Sequence, residues 1–119
     1  MEEASEPVDQ FFERYASALL ARDAKALAGM YAIPSLIVFP GTSIAVSDTA
    51  QTEAFFASSW GQYDGVDAVD QEIVVMGDAP VSLWADVTWS FSGQRRERFC
   101  YQLVPGAEGY QIAVLTPMA

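Results

Sequence analysis

Apolar residues recur at Val8, Phe11, Phe12, Tyr15, Leu19 and Leu20, with Asp9, Glu13 and Arg22 on the other side. Steps of three and four predict an amphipathic helix over residues 7–21, with Pro7 suited to its first turn. Asp23 is placed to cap a second, short helix running to about residue 30, with Leu27, Met30 and Tyr31 on its inner side and Pro34 ending it. "SLIVFPG" then reads as a strand and "TSIAVSD" as its return, with Pro40-Gly41 as the turn. Asp48 caps a third helix, residues 49–63, on which Thr52, Phe55, Phe56, Ser59, Trp60 and Tyr63 share a side, and Asp64-Gly65 stops it.

After Gly65 the period changes from helical to two. "VDAVDQEIVVMGD" is a strand. In "PVSLWADVTWSFSG" the residues Leu83, Ala85, Val87, Trp89 and Phe91 face one way, and Trp84, Asp86, Thr88 and Ser90 the other. "RRERFCYQLVP" and "GYQIAVLTPM" form a closing hairpin around residues 105–109. The order predicts an α+β fold in which three N-terminal helices pack on a strongly curved, mainly antiparallel sheet, a cystatin-like cone. The concave space between helices and sheet is the default place for a ligand.

Charge and composition narrow the function classes. With 119 residues, 51% of them hydrophobic, residues 7–119 are expected to make one domain behind a disordered acidic lead of residues 1–6. The net charge of −10 disfavours nucleic acid and anionic membrane surfaces as partners. The absence of histidine removes the commonest general base and metal ligand, so no metal site is expected and a Ser-His-Asp or Cys-His machine cannot be built within the chain. One cysteine excludes an internal disulfide. The lead "MEEASEP" lacks the basic and apolar regions of a signal peptide, and no apolar run reaches membrane-spanning length, so a cytoplasmic location is the default.

The phrase "FFERYASALLARDAKALAGMYA", the strand with its Pro-Gly turn, "TEAFFASSW" and the "VPGAEGYQI" hairpin together resemble the nuclear-transport-factor-2-like superfamily, which includes ketosteroid isomerase and small polyketide cyclases. The resemblance covers about residues 8–118 and consists of fold signals. By this comparison the isomerase's helix-one oxyanion tyrosine falls on Tyr15, its catalytic aspartate on Phe39, and its second oxyanion donor near Cys100. A phenylalanine cannot abstract a proton and a thiol is a weak donor, so that reaction by that arrangement is not expected. The resemblance also implies a homodimer through the convex sheet face. It puts Arg98, Cys100 and Gln102 in the cone and Phe99, Tyr101 and Trp84 at the interface. Hydropathy alone puts Phe99, Tyr101 and Leu103 inward instead.

The candidate ligand-binding residues are therefore Tyr15, Phe39, Phe55, Trp60, Val87, Trp89, Arg98 and Cys100. Tyr15 would donate its hydroxyl to a ligand oxygen, or else be a core residue with an internal partner. Arg98 would hold a ligand carboxylate, or else pair with Asp86 or Glu97 on the surface. Cys100 would be reactive only with a lowered pKa and access, and reads more simply as a small buried residue. The aromatic residues would wall an apolar site, or fill the cone outright. Three functions follow: a binding module for a small apolar or aromatic ligand without a cofactor; an isomerase, dehydratase or cyclase with a non-standard base; or a dimerisation module with a filled cone.

Overall fold

The computed structural model describes residues 7–58, 60–93, 95–106 and 109–118, without the side chains of Gln62, Arg95 and Arg96. The acidic lead and the expectation that it is disordered lie outside the described residues. Helix α1 spans Val8–Leu20 and opens on Pro7, whose carbonyl accepts from the amides of Gln10 and Phe11. Its stripe of Phe11, Phe12, Tyr15 and Leu19 is almost wholly buried, as the helical period requires. Helix α2 (Ala24–Ala28) is capped by Asp23, whose carboxylate accepts from the Ala26 amide at 3.0 Å.

Strand β1 (Tyr31–Phe39) begins where the sequence reading still expected helix. Tyr31 is therefore a strand residue, and Pro34 lies inside β1, in an irregular stretch between Tyr31 and Leu36, rather than ending a helix. Strand β2 (Thr42–Val46) returns through the Pro40-Gly41 turn, where Gly41 takes φ +77°. Helix α3 (Thr49–Ala57) starts with a capping box. The Asp48 carboxylate accepts from the Gln51 amide at 3.0 Å, and the Gln51 side chain accepts from the Asp48 amide at 3.2 Å. It stops at Ala57, and a separate 3-10 turn, Trp60–Tyr63, replaces the expected last turns.

Four strands follow: β3 (Val69–Ala79), β4 (Ser82–Phe91), β5 (Arg95–Gly106) and β6 (Gly109–Pro117). The sheet order is β2-β1-β6-β5-β4-β3, antiparallel throughout except for the parallel β1–β6 pair. This is the α+β arrangement expected, a curved six-stranded sheet with the helices on one face. Arg22 ties the helical layer together. Its guanidinium donates to the Leu19 and Leu20 carbonyls at the end of α1, to the Tyr63 carbonyl at the end of the 3-10 turn and to the Val66 carbonyl beyond it. Among the described residues no helix is long and apolar enough to cross a membrane.

Candidate functional site

The register of β4 against β5 decides which side chains face the helices. Val87 pairs with Phe99, Ala85 with Tyr101, Leu83 with Leu103 and Trp89 with Glu97. Directly opposed residues share a face. Ala85, Val87 and Trp89 are buried under the helices, so Tyr101 and Leu103 are buried there with them. Hydropathy is right for this strand. The superfamily comparison is wrong by one residue, which turns every side chain over. Arg98, Cys100 and Gln102 therefore lie on the convex face, and Phe99 and Tyr101 are cone residues, not interface residues.

The convex placement gives Arg98 and Cys100 ordinary work. The Arg98 guanidinium forks onto Asp86, with Nε donating to Oδ1 at 2.9 Å and Nη2 to Oδ2 at 2.5 Å. That hydrogen-bonded pairing lowers the Asp86 carboxyl below its usual range and raises the guanidinium. Cys100, directly opposite Asp86, has its thiol pushed up by burial and then by the Asp86 charge, the reverse of what a reactive thiolate needs.

Beneath the helices lies a cavity of about 160 Å³. Tyr15 and Leu19 of α1, Phe39 of β1, and Phe55 and Phe56 of α3 form one side of it. Trp89, Phe91, Glu97, Phe99, Tyr101 and Leu115 of the sheet form the other, with Tyr63 beside them. Of the residues expected to bind a ligand, Tyr15, Phe39, Phe55 and Trp89 line this cavity. Val87 is wholly buried in the core and Trp60 packs behind the wall, its ring 6.2 Å from Phe56 and 6.0 Å from Tyr63.

Apart from the Glu97 carboxylate, the polar side-chain groups lining the cavity belong to the aromatic residues Tyr15, Tyr63, Trp89 and Tyr101. The Tyr15 and Tyr31 hydroxyls share one hydrogen bond of 2.8 Å. The Trp89 Nε1–H donates to the Tyr101 hydroxyl oxygen at 2.9 Å. Two hydroxyls joined by one bond leave one proton over, and Tyr101, which accepts from Trp89, keeps its own. Among the described residues these are the hydrogen bonds that the Tyr15, Tyr31 and Tyr101 hydroxyls make, so each surplus proton is available to a further acceptor. When Tyr31 donates to Tyr15, both surplus donors, Tyr15 and Tyr101, belong to residues that line the cavity. Burial, first of all, pushes both phenols well above their usual range, so they remain protonated donors at neutral pH.

The sequence reading missed Glu97, the one carboxylate among the residues lining this cavity. Its position two residues before Phe99 gives it the same parity as Phe99 and Tyr101, so the hydropathic reading of β5 would have found it. Among the described residues no cluster of three or more acidic or cysteine side chains is placed to hold a metal ion.

The surrounding fold recurs in solved structures. A cystatin-like domain of unknown function from Nostoc punctiforme superposes with a TM-score of 0.71 at 16% identity, over 93% of this chain and 74% of that one. A Novosphingobium aromaticivorans protein, named provisionally as an aromatic ring hydroxylase, gives 0.69 at 13% identity over 92% and 84%. An NTF2-like protein from Cytophaga hutchinsonii gives 0.69 at 10% identity over 94% of each chain. At these identities the likeness is one of fold. The search of curated proteins returns no match. The family model described as NTF2-like protein (DUF6841) matches residues 2–119, and with the cone, its helices and its sheet order in place, the chain belongs to that family.

Proposed function

We propose that this protein binds a small, mostly apolar ring that carries an oxygen acceptor, held in the cone cavity with its oxygen on Tyr15 and Tyr101. The surplus of two buried hydroxyl protons in an aromatic-walled space supports this reading. Such donors cost free energy until something accepts from them. The volume sets the size class. A dry apolar cavity of roughly 150 Å³ admits benzene, so the space here suits one ring rather than a fused polycycle. The provisional name of the Novosphingobium neighbour is in keeping with an aromatic ligand, through likeness of fold alone.

Calorimetric titration with phenol and with toluene tests the proposal, because the two differ little in size but only phenol carries the oxygen. Phenol is expected to bind at least tenfold more tightly to the wild type, and the preference is expected to vanish in the Tyr15→Phe/Tyr101→Phe double variant. Equal or tighter binding of toluene by the wild type would refute it.

Glu97 favours a second reading. A carboxylate in the same cavity as two hydroxyl donors can move a proton next to a carbonyl whose oxygen the tyrosines hold. In that case the chain is an isomerase, dehydratase or cyclase whose base is Glu97. Exchange of the carbon-bound protons of cyclohexenone in heavy water, lost in Glu97→Gln while binding persists, would separate catalysis from binding.

A homodimer through the convex face belongs to the same proposal. Trp84, Gln102, Val114 and Leu36 follow one another across adjacent strands there, and Trp84 and Leu36 are each 38% exposed. Sedimentation velocity tests it, and a clean monomer at micromolar concentration would remove it.

A further inference from the structure

We infer that the ligand is longer than the cone cavity: a ring bearing oxygen at one end and an apolar chain at the other, the chain leaving past Phe39 and Phe99 into a second cleft. This rests on the binding reading above. The second cleft, of about 390 Å³, lies where β6 ends beside β5. Phe39, Glu97 and Phe99 line it, and the same three residues line the inner cavity, so the two spaces meet at those side chains. Phe39 and Phe99 meet edge to face at 6.4 Å, and both are only half-buried. Rotamer changes of such rings suffice to join the spaces.

The lining sets the chemistry of the chain. Beyond the shared residues the cleft is bounded by Pro117, Met118, Thr88 and Arg98. The Arg98 guanidinium is engaged by Asp86, which leaves Phe39, Phe99, Pro117 and Met118 as an apolar track with the Glu97 carboxylate at its inner end. Methionine and proline beside aromatic edges suit a flexible hydrocarbon chain better than a sugar or phosphate. The Met118 amide donates to the Arg98 carbonyl at 2.8 Å, which ties this boundary to β5. A chain para to the ligand's oxygen therefore runs outward while the oxygen stays on the tyrosines.

The test is a calorimetric series of phenol, 4-ethylphenol and 4-butylphenol against the whole chain. Each buried methylene strengthens binding roughly fourfold, so 4-butylphenol is expected to bind on the order of a hundredfold more tightly than phenol. Met118→Trp and, separately, Thr88→Trp narrow the cleft without touching the inner cavity. They are expected to leave phenol binding unchanged and to remove most of the gain. An affinity in the wild type that is flat or falls beyond phenol would confine the ligand to the inner cavity and overturn this inference while the binding reading stands. A gain that survives both tryptophan variants would place the chain elsewhere and overturn it too. If phenol itself does not bind, the binding reading fails and this inference falls with it.

Discussion

Three buried phenols should make the stability of this protein steeply sensitive to alkali. Tyr15, Tyr31 and Tyr101 are each at most 3% exposed, and burial is the largest cause raising each of them well above the ordinary phenol value. A folded-state pKa above the unfolded one contributes stability that is fully present below the unfolded value. It is lost as pH rises from there toward the folded value. Above about pH 10 the unfolded chain releases three protons that the folded chain keeps, and each is worth about 1.4 kcal/mol per pH unit. Unfolding free energy should therefore fall by about 4 kcal/mol per pH unit above pH 10, against a total of about 5–15 kcal/mol for an ordinary domain. The assay is urea unfolding from pH 8 to 11.5, with phenolate absorbance followed in parallel. Each of Tyr15→Phe, Tyr31→Phe and Tyr101→Phe should lower the slope by about 1.4 kcal/mol per pH unit, whatever it does to stability at pH 7. Phenolate absorbance from these residues in the folded protein near pH 10, or a slope unchanged by the three substitutions, would refute the buried, protonated donors on which the site depends.

Further outcomes follow from the scaffold. Arg22→Gly keeps the backbone free to hold φ 54° but removes the guanidinium from four carbonyls, and should cost about 1.5–3 kcal/mol in urea unfolding. A loss below about 0.5 kcal/mol would deny the clamp. Asp48→Ala removes the α3 capping box and should cost about 0.5–2 kcal/mol, read from the thermal midpoint. Because Arg98 holds the Asp86 carboxyl low, that pair's contribution is present above about pH 4 and is lost as pH falls below it. The stability difference between wild type and Asp86→Asn should accordingly shrink on acidification from about pH 6 to about pH 3.

Much of the fold was legible in the pattern of side chains because burial enforces it directly. Phe11, Phe12, Tyr15 and Leu19 of the α1 stripe and the whole Leu83-to-Phe91 alternation are on the buried side, while Leu20, at the end of α1, is exposed. Asp23 and Asp48 mark both later helices because their carboxylates are the caps. Tyr31 and Pro34 were misread because Met30 and Tyr31 fit the inner side of a short helix as well as they start a strand. The end of α3 was overextended because its apolar residues keep helical spacing into the 3-10 turn, so the pattern alone does not show the break.

The site was legible in part. Tyr15, Phe39, Phe55 and Trp89 are large residues on the inner faces of elements whose orientation the pattern determines. Arg98 and Cys100 lie on the convex face because the alternation of Phe99, Tyr101 and Leu103 governs β5, and Glu97 shares the inward parity of those three residues. The outer cleft had no signal at all in the sequence. It exists because β6 ends at Pro117 beside Phe99, a matter of strand register and length rather than of residue type.

The proposed ligand is a small oxygen-bearing ring held in the cone on its tyrosine hydroxyls. The most direct measurement is a crystal structure with 4-bromophenol bound, in which the anomalous signal of bromine gives the direction of the ligand without ambiguity. The ring is expected inside the cavity, its oxygen within about 3.2 Å of the Tyr15 or Tyr101 hydroxyl, and bromine toward Phe39 and Phe99. Bromine beside Tyr15 and Tyr101 with the oxygen turned outward, or a cavity that stays empty at saturating bromophenol, would contradict it.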